Sequence, residues 1–279
     1  MLPLSFRRRA ALVVAFCAGL AAPVPAFAWS EREAAEIWSE LSDLAFEGRP
    51  IVEDSGVVGL EAPTRAQDPG SVPVTVSTRL SPLDGRRIEK ISLFVDENPA
   101  PLVAVFELGE TANIAKISTN VRVNRYSLVH AVAELDDGSL HAASAFVKAS
   151  GGCSARPVER PEVAAARLGE LDFEQGAVAG AAGSAMREDE IRVMHPNYTG
   201  MQLHYVTLNY IPARYVDTLT VTLGSDPLLK VTGGISLSEN PAVRLSYRPA
   251  GEGDTFVAEM RDTSGTVTTA RWPLMAGGS

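Results

Sequence analysis

The stretch LVHAVAELDDGSLHAASAFVK, Leu128 to Lys148, decides the fold class. It reads as two strands, Leu128 to Glu134 and Leu140 to Lys148, joined by Asp136-Asp137-Gly138. Asp and Gly tolerate positive φ, so this is a β-hairpin signal. Upstream, Val72, Val74 and Val76 alternate with Pro73, Thr75 and Ser77. Ile88, Ile91, Leu93 and Val95 mark the next strand, followed by Val103 to Leu108 and Val121 to Tyr126. Short strands with a period of two and turn residues between them indicate a sandwich of immunoglobulin type. A βαβ arrangement needs helical patterns between strands, and the sequence has none there.

Only the beginning of this half reads as helix. From Trp29 to about Gly48, Ser30 is a fitting N-cap and Glu31 and Glu33 lie in the first turn, where acids suit the helix dipole. Ile37, Trp38, Leu41, Leu44 and Ala45 recur at three- and four-residue spacing and form one apolar face, and Gly48 and Pro50 end it.

Downstream of the hairpin, Ala149 to Met186 has the composition of a connector: Gly-Gly-Cys at its start, Pro157 and Pro161, and a Gly/Ala-rich run from Gly176 to Ala185. A short helix fits from Pro161 to Leu171, with Pro in the first turn. The second β block begins at Ile191 and Val193 and continues through Leu203 to Tyr210, Tyr215 to Leu223, Leu228 to Val231 and Ile235 to Leu237. Val243 to Tyr247, Thr255 to Met260 and Val267 to Trp272 complete it, with a turn at Asp262-Thr263-Ser264-Gly265. The expected fold is all-β: two immunoglobulin/fibronectin-like β-sandwiches in tandem with a short N-terminal helix. The expected division is a signal peptide at 1–28, a first sandwich at 29–153, a linker at 154–186 and a second sandwich at 187–279.

The signal peptide rests on three features in order: Arg7, Arg8 and Arg9, an apolar run from Ala10 to Leu20, and Ala26-Phe27-Ala28 before Trp29. The run is too short to span a bilayer. The reading is therefore a periplasmic protein with no membrane span after cleavage, by the Sec or the twin-arginine route. Losing three arginines and no acids takes the formal charge from −9 to −12. An acidic chain repels phosphate backbones, which argues against nucleic acid as a partner.

The sequence carries few motifs of known chemistry. His130, His141, His195 and His204 have no metal-ligand spacing, and no G-x-S-x-G, P-loop or G-x-G-x-x-G occurs. His130 and His204 fall in strands and read as half-buried, satisfied side chains. Glu188, Asp189 and Glu190 read as a solvated edge. No catalytic residue, metal site or cofactor is assigned, and the chain is not expected to be an enzyme. Cys17 leaves with the signal, so the mature chain keeps a single cysteine, Cys153, preceded by Gly151 and Gly152. A lone thiol in an oxidising compartment is removed, paired between chains or used. Two glycines remove side-chain bulk and free the backbone, giving an exposed, flexible arm of about 20 Å over six residues from Val147. Arg156 stands close enough in sequence to favour the thiolate.

Several segments carry a family resemblance. Val72-Pro73-Val74, Ile91 to Pro99, Pro101-Leu102-Val103, Ile117 to Arg122, Ala133 to Leu140, and Phe146-Val147-Lys148 ahead of Gly151-Gly152-Cys153 resemble SoxY, a subunit of the periplasmic sulfur-oxidation carrier. Ile191 to Pro196, Thr199-Gly200-Met201, Ile211 to Val216, Ser236 to Pro241 and Asp262 to Gly265 resemble its partner subunit SoxZ. The resemblance implies an immunoglobulin-like sandwich joined to a fibronectin-like one. It also implies that Cys153, on the arm of Gly151 and Gly152, holds sulfur intermediates such as those of thiosulfate oxidation while separate enzymes process them. The family arm ends the chain as Gly-Gly-Cys-Gly-Gly; here Ser154 and Ala155 follow, and the cysteine is tethered on both sides. Fused chains of this layout are associated with quinoprotein (PQQ) dehydrogenase systems. Expected partners are therefore periplasmic sulfur-oxidation proteins or quinoprotein dehydrogenase/cytochrome c proteins. Three readings stand: a covalent carrier, a non-covalent accessory to a quinoprotein dehydrogenase system, and a Cys153-linked homodimer.

Overall fold

The computed structural model describes residues 30–80, 84–179, 186–248 and 255–274. The expected signal peptide at 1–28 lies outside them. No helix among the described residues is long and apolar enough to cross a membrane.

The first half contains α1 (Glu31–Phe46), β1 (Ile51–Glu53), β2 (Val58–Glu61), β3 (Val72–Thr78) and β4 (Ile88–Val95). It continues with β5 (Leu102–Leu108), β6 (Asn113–Val121), β7 (Ser127–Leu135) and β8 (Leu140–Val147). The second half contains α2 (Pro161–Ala166), β9 (Leu171–Ala179), β10 (Met186–Val193) and β11 (Val216–Leu223). It ends with β12 (Asp226–Gly233), β13 (Ala242–Arg248), β14 (Thr255–Asp262) and β15 (Val267–Pro273). The fold is all-β with a short N-terminal helix, as expected.

The two halves are joined through both sheets. One sheet runs β1-β8-β7-β4-β5-β12-β11-β14-β15 and the other β2-β3-β6-β13-β10-β9. The seams are β5 against β12, with Phe106 opposite Val231, and β6 against β13, with Ile117 opposite Leu245. Both pairs are antiparallel, so the edge strands of each half satisfy one another's backbone groups instead of facing water. One hydrophobic core fills the space between the sheets, with Val74, Leu93, Phe106 and Ile117 from the first half packed with Leu219, Val231, Leu245 and Phe256 from the second. The tandem sandwiches are thus continuous across their boundary.

The helix α1 starts at Ser30, whose Oγ accepts from the Glu33 N–H at 3.4 Å, and ends where Glu47 and Gly48 take positive φ. It lies outside the larger sheet, where Phe46 and Trp38 pack on Phe94, Val132, Leu140 and Ala142. Its apolar stripe is narrower than the spacing suggests. Leu44 is 82% exposed and Ala45 is also exposed, because the contact is made by the side of the helix carrying Ala34, Trp38 and Phe46.

Five expectations need correction. Ile235 to Leu237 is a turn with a single bridge from Leu237 to Val121, not a strand. The strand expected at Val121 to Tyr126 is instead Asn113–Val121. Its pairing with β13 slips between Ser246 and Tyr247, which breaks the simple alternation. After Val121 the backbone leaves the sheet to donate from Arg122 to Ser236 O and from Val123 to Pro69 O. The linker at 154–186 contains β9, which pairs with β10 and places Phe173 on Phe256 and Trp272. Gly176 belongs to that strand because a Cβ there would stand 1.9 Å from Glu188 O. Leu203 to Tyr210 forms no strand, only a single bridge between its ends, Leu203 and Tyr210. Finally, the acidic run is solvated only in part and lies on an inner strand: Glu188 is exposed, but Asp189 is 2% exposed and accepts from Tyr247 Oη at 2.8 Å and Arg187 Nε at 3.1 Å.

Candidate functional site

Cys153 follows β8 by six residues, at the end of the sandwich where loops of both halves meet. The flexible arm expected of Gly151 and Gly152 is a fixed turn. Gly151 N–H donates to Asn124 O at 2.8 Å and Gly152 N–H to Val123 O at 3.0 Å. Gly151 takes φ 82°, which glycine adopts without strain. Gly152 is needed for space: a Cβ would stand 2.0 Å from Pro69 O and 2.6 Å from Val123 O. The glycines therefore bury the cysteine. Cys153 has no exposed surface.

The second half closes the turn from the other side. Thr199 Oγ1 donates to Cys153 O at 2.6 Å, and Gln202 Nε2 donates to Ala155 O at 3.2 Å. Downstream, the Val158 and Glu159 N–H groups donate to the Glu239 carboxylate at 2.8 and 3.1 Å. A chain tethered at both ends makes such contacts at little further entropic cost.

The cation beside the cysteine is Arg122. Arg156 is exposed, whereas Arg122 is 2% exposed. Its guanidinium donates from Nε to Leu237 O (3.2 Å), from Nη1 to Gly152 O (3.3 Å) and from Nη2 to Asn197 O (3.3 Å). No carboxylate lies within ion-pair distance of it among the described residues. Burial lowers its pKa, opposed by Cys153, Glu239 and Asp68. In turn, burial pushes the Cys153 thiol up to about 11, with Arg122 pulling the other way. Desolvation wins. In this closed arrangement the sulfur is a protonated thiol, and attack on a substrate or pairing between chains requires the turn to open.

Around Arg122 the loops interlock. Asn98 Nδ2 donates to Arg122 O (2.7 Å) and Ser236 Oγ (3.0 Å), and its Oδ1 accepts from Asn124 N–H (2.8 Å). Asn197, at φ 47° and without exposure, donates from Nδ2 to Leu237 O and accepts from Val216 N–H at Oδ1. Its own N–H donates to His195 Nδ1 at 3.0 Å. His195, 1% exposed, has Nε2 3.5 Å from Asp262 Oδ2 without a formed hydrogen bond, while Asp262 Oδ2 accepts from Arg214 Nε at 2.8 Å. Such a network is costly unless satisfied, and apart from His195 Nε2 the groups named here are paired, so it fixes the relative position of the loops.

Burial lowers the His195 pKa from 6.5 to about 4, against the pull of Asp262. The folded protein thus binds this proton less well than the unfolded chain. The contribution is intact above pH 6.5 and is lost as pH falls toward 4. Stability is expected to drop by roughly 2–3 kcal/mol over that window. Urea unfolding at pH 7 and pH 4.5, for wild type and His195→Gln, checks this; an equal pH slope in both would refute it.

The other histidines are structural. His130 is buried, with Nδ1 3.0 Å from Asp96 Oδ1 and its ring stacked on Trp38 at 3.7 Å. His141 sits between Ser55 Oγ and Ser139 Oγ. His204 is in the excursion that replaces the expected strand, where its Nδ1 accepts from Val206 and Thr207 N–H. No group of three His, Cys, Asp or Glu side chains fit to hold a metal occurs among the described residues. Arg122, Asn197 and Thr199 are the site residues that sequence reasoning missed. Arg122 and Thr199 lie inside segments quoted for the resemblance, but nothing local marks them as partners of a cysteine 31 and 46 residues away.

Comparison with known proteins follows the same division. The family model described as sulfur oxidation protein SoxY matches residues 43–153, ending on the cysteine, and that of sulphur oxidation protein SoxZ matches 179–273. No curated protein is significantly similar to the chain. Among solved structures, the sulfur carrier protein SoxY from Chlorobium limicola f thiosulfatophilum is 26% identical. The match covers 44% of this chain and all of that one, at a TM-score of 0.35. Two structures of a superoxide reductase (neelaredoxin) from Ignicoccus hospitalis also match. One is 15% identical over 35% of this chain and 93% of that one, at a TM-score of 0.31. The other is 16% identical over 39% of this chain and 86% of that one, at a TM-score of 0.30. With both family matches in order on one polypeptide, the chain belongs to the fused SoxYZ-like proteins, a SoxY domain joined to a SoxZ domain.

Proposed function

We propose that the chain is a periplasmic carrier that binds sulfur-containing intermediates covalently through Cys153 and presents them to partner enzymes of sulfur oxidation. What carries the reading is that the SoxY match ends on Cys153, the free cysteine among the described residues, which sits at the junction of the two domains beside a buried guanidinium. The thiol is held closed between turnovers. On opening it ionises more readily, because desolvation no longer opposes the thiolate. The sulfur then forms a disulfide-type bond to the incoming group, the thiol proton passes to solvent, and the two electrons released pass to a cytochrome-type partner. The reading assigns no catalytic residue to the chain itself.

Intact mass of protein isolated from the periplasm, with and without reductant, tests this directly. A reductant-sensitive adduct is expected on wild type and absent from Cys153→Ser. Free thiol alone, with undiminished growth of the Cys153→Ser strain on thiosulfate, would sink it.

The burial of Cys153 favours a second reading, that the chain is a non-covalent accessory of a periplasmic quinoprotein dehydrogenase system. A complex with the dehydrogenase that survives Cys153→Ala supports that reading over the first.

A further inference from the structure

Arg122 is a buried cation without an ion-pair partner among the described residues. The acids that act on it from a distance, Glu239 and Asp68, are engaged elsewhere. Val158 and Glu159 N–H donate to the Glu239 carboxylate, and Gly70 N–H donates to Asp68 Oδ1 at 2.8 Å. Taking a guanidinium out of water without a counter-charge is costly, so the charge needs a reason.

Tethering the loops does not require it. The guanidinium donates to Leu237 O, Gly152 O and Asn197 O, but uncharged amides do the same at this junction. Asn98 Nδ2 holds Arg122 O, Asn197 Nδ2 holds Leu237 O, and Gln202 Nε2 holds Ala155 O. The three bonds from Arg122 also use only three of the five N–H donors of a guanidinium, leaving one hydrogen on each Nη.

The cysteine lies where those donors can serve it. Gly152 O, the acceptor of Nη1, belongs to the peptide unit that leads into Cys153. Arg122 itself is pinned by its main chain, its N–H to Ser236 O at 2.8 Å and its O to Asn98 Nδ2 at 2.7 Å. Because Cys153 has no exposed surface, a group added to its sulfur presses the turn outward. Gly152 O then moves with the turn, while the guanidinium stays.

We infer that Arg122 is the specificity-determining residue for what Cys153 carries: it exchanges Gly152 O for an oxyanion on the attached group. Two N–H donors of a fixed guanidinium suit a sulfonate-type end, and a neutral disulfide of the same size gains nothing from them. The inference rests on the reading of Cys153 as the carrier thiol.

The test loads Cys153 of the full chain with three methanethiosulfonates that differ only at their ends: sulfonatoethyl, hydroxyethyl and trimethylammonioethyl. In each case Sγ attacks the sulfenyl sulfur and the mixed disulfide forms. Methanesulfinate leaves with the bonding pair, and the thiol proton passes to buffer. Removal by tris(hydroxypropyl)phosphine, an uncharged reductant, is followed at Cys153 by mass spectrometry. Each native rate is divided by the same adduct's rate in urea, which cancels intrinsic reactivity. On a chain of formal charge −9, the overall field favours the cationic adduct. Arg122 reverses that order. In wild type the sulfonatoethyl adduct should be protected at least about fivefold more than the hydroxyethyl one, and the trimethylammonioethyl adduct least. The preference should vanish or invert in Arg122→Met and keep its sign in Arg122→Lys. Loosened loops alone would move all three adducts together. Equal protection in wild type, or a preference for the cation, overturns the inference whether or not the variants fold. A sulfonate preference that persists in folded Arg122→Met overturns it as well. Native protein that carries an adduct but shows no charge preference sinks only the role of Arg122. Native protein bearing only free thiol refutes the carrier reading instead.

Discussion

In the native protein, Cys153 is expected to react with iodoacetamide at least about 100-fold more slowly than in the unfolded chain at pH 7.5. Alkylation needs the thiolate. Burial moves the thiol from an ordinary value of 9.0 to about 11, which alone lowers the thiolate fraction about 100-fold. The sulfur also has no exposed surface, so reagent reaches it only through opening of the turn. The pH profile carries the same signature. The rate should keep rising through pH 10, where an exposed cysteine has already levelled off. Time-resolved intact mass, native and in urea, measures both. A native rate within threefold of the unfolded one would refute the closed turn and restore a free arm.

Gly152→Ala is expected to open that turn permanently. A methyl group at 152 meets two backbone carbonyl oxygens, Pro69 O at 2.0 Å and Val123 O at 2.6 Å, and neither can move without shifting its own strand or loop. The turn must then leave its site, surrendering the Gly152 and Cys153 hydrogen bonds to Val123, Arg122 and Thr199. Arg122 is left with one acceptor fewer around a buried charge. The expected cost is about 3–4 kcal/mol in urea unfolding, with the labelling rate of Cys153 rising toward that of the unfolded chain. Gly151→Ala is the contrast. Its nearest neighbour would be Ser154 Oγ at 3.9 Å, so only the strain of a positive φ remains, about 1 kcal/mol. Equal effects from the two substitutions would contradict the packing account.

The two predictions bear on function in opposite ways. Slow labelling of wild type is what either reading of the chain expects of the resting state. An opened Gly152→Ala protein separates them. A carrier gains an accessible thiol and should accumulate adducts, whereas a non-covalent accessory gains nothing from exposing one.

Much of the fold was legible from residue order. Alternation placed β3, β4, β7 and β8, because a strand with one face in the core repeats every two residues. Asp136-Asp137-Gly138 and Asp262 to Gly265 marked their hairpins through glycines at φ 81° and 84°. The cysteine on its Gly-Gly pair was legible too, as was the order of a SoxY-like segment before a SoxZ-like one. Alternation failed where pairing depended on distant chain. The Leu203 to Tyr210 run has the pattern of a strand but no partner, and β9 has a partner but a composition like a linker. Joining of the two sandwiches through β5–β12 and β6–β13 is a property of edges, which no local pattern encodes. The same holds for Gly151-Gly152-Cys153. By themselves two glycines permit either a mobile arm or a tight approach of backbones. Only tertiary structure decides, by placing Pro69 O and Val123 O where a Cβ would be, Arg122 behind the turn and Thr199 in front of it. Sequence alone determined that a cysteine, Cys153, follows a Gly-Gly pair and where it lies along the chain; packing determined that it is closed.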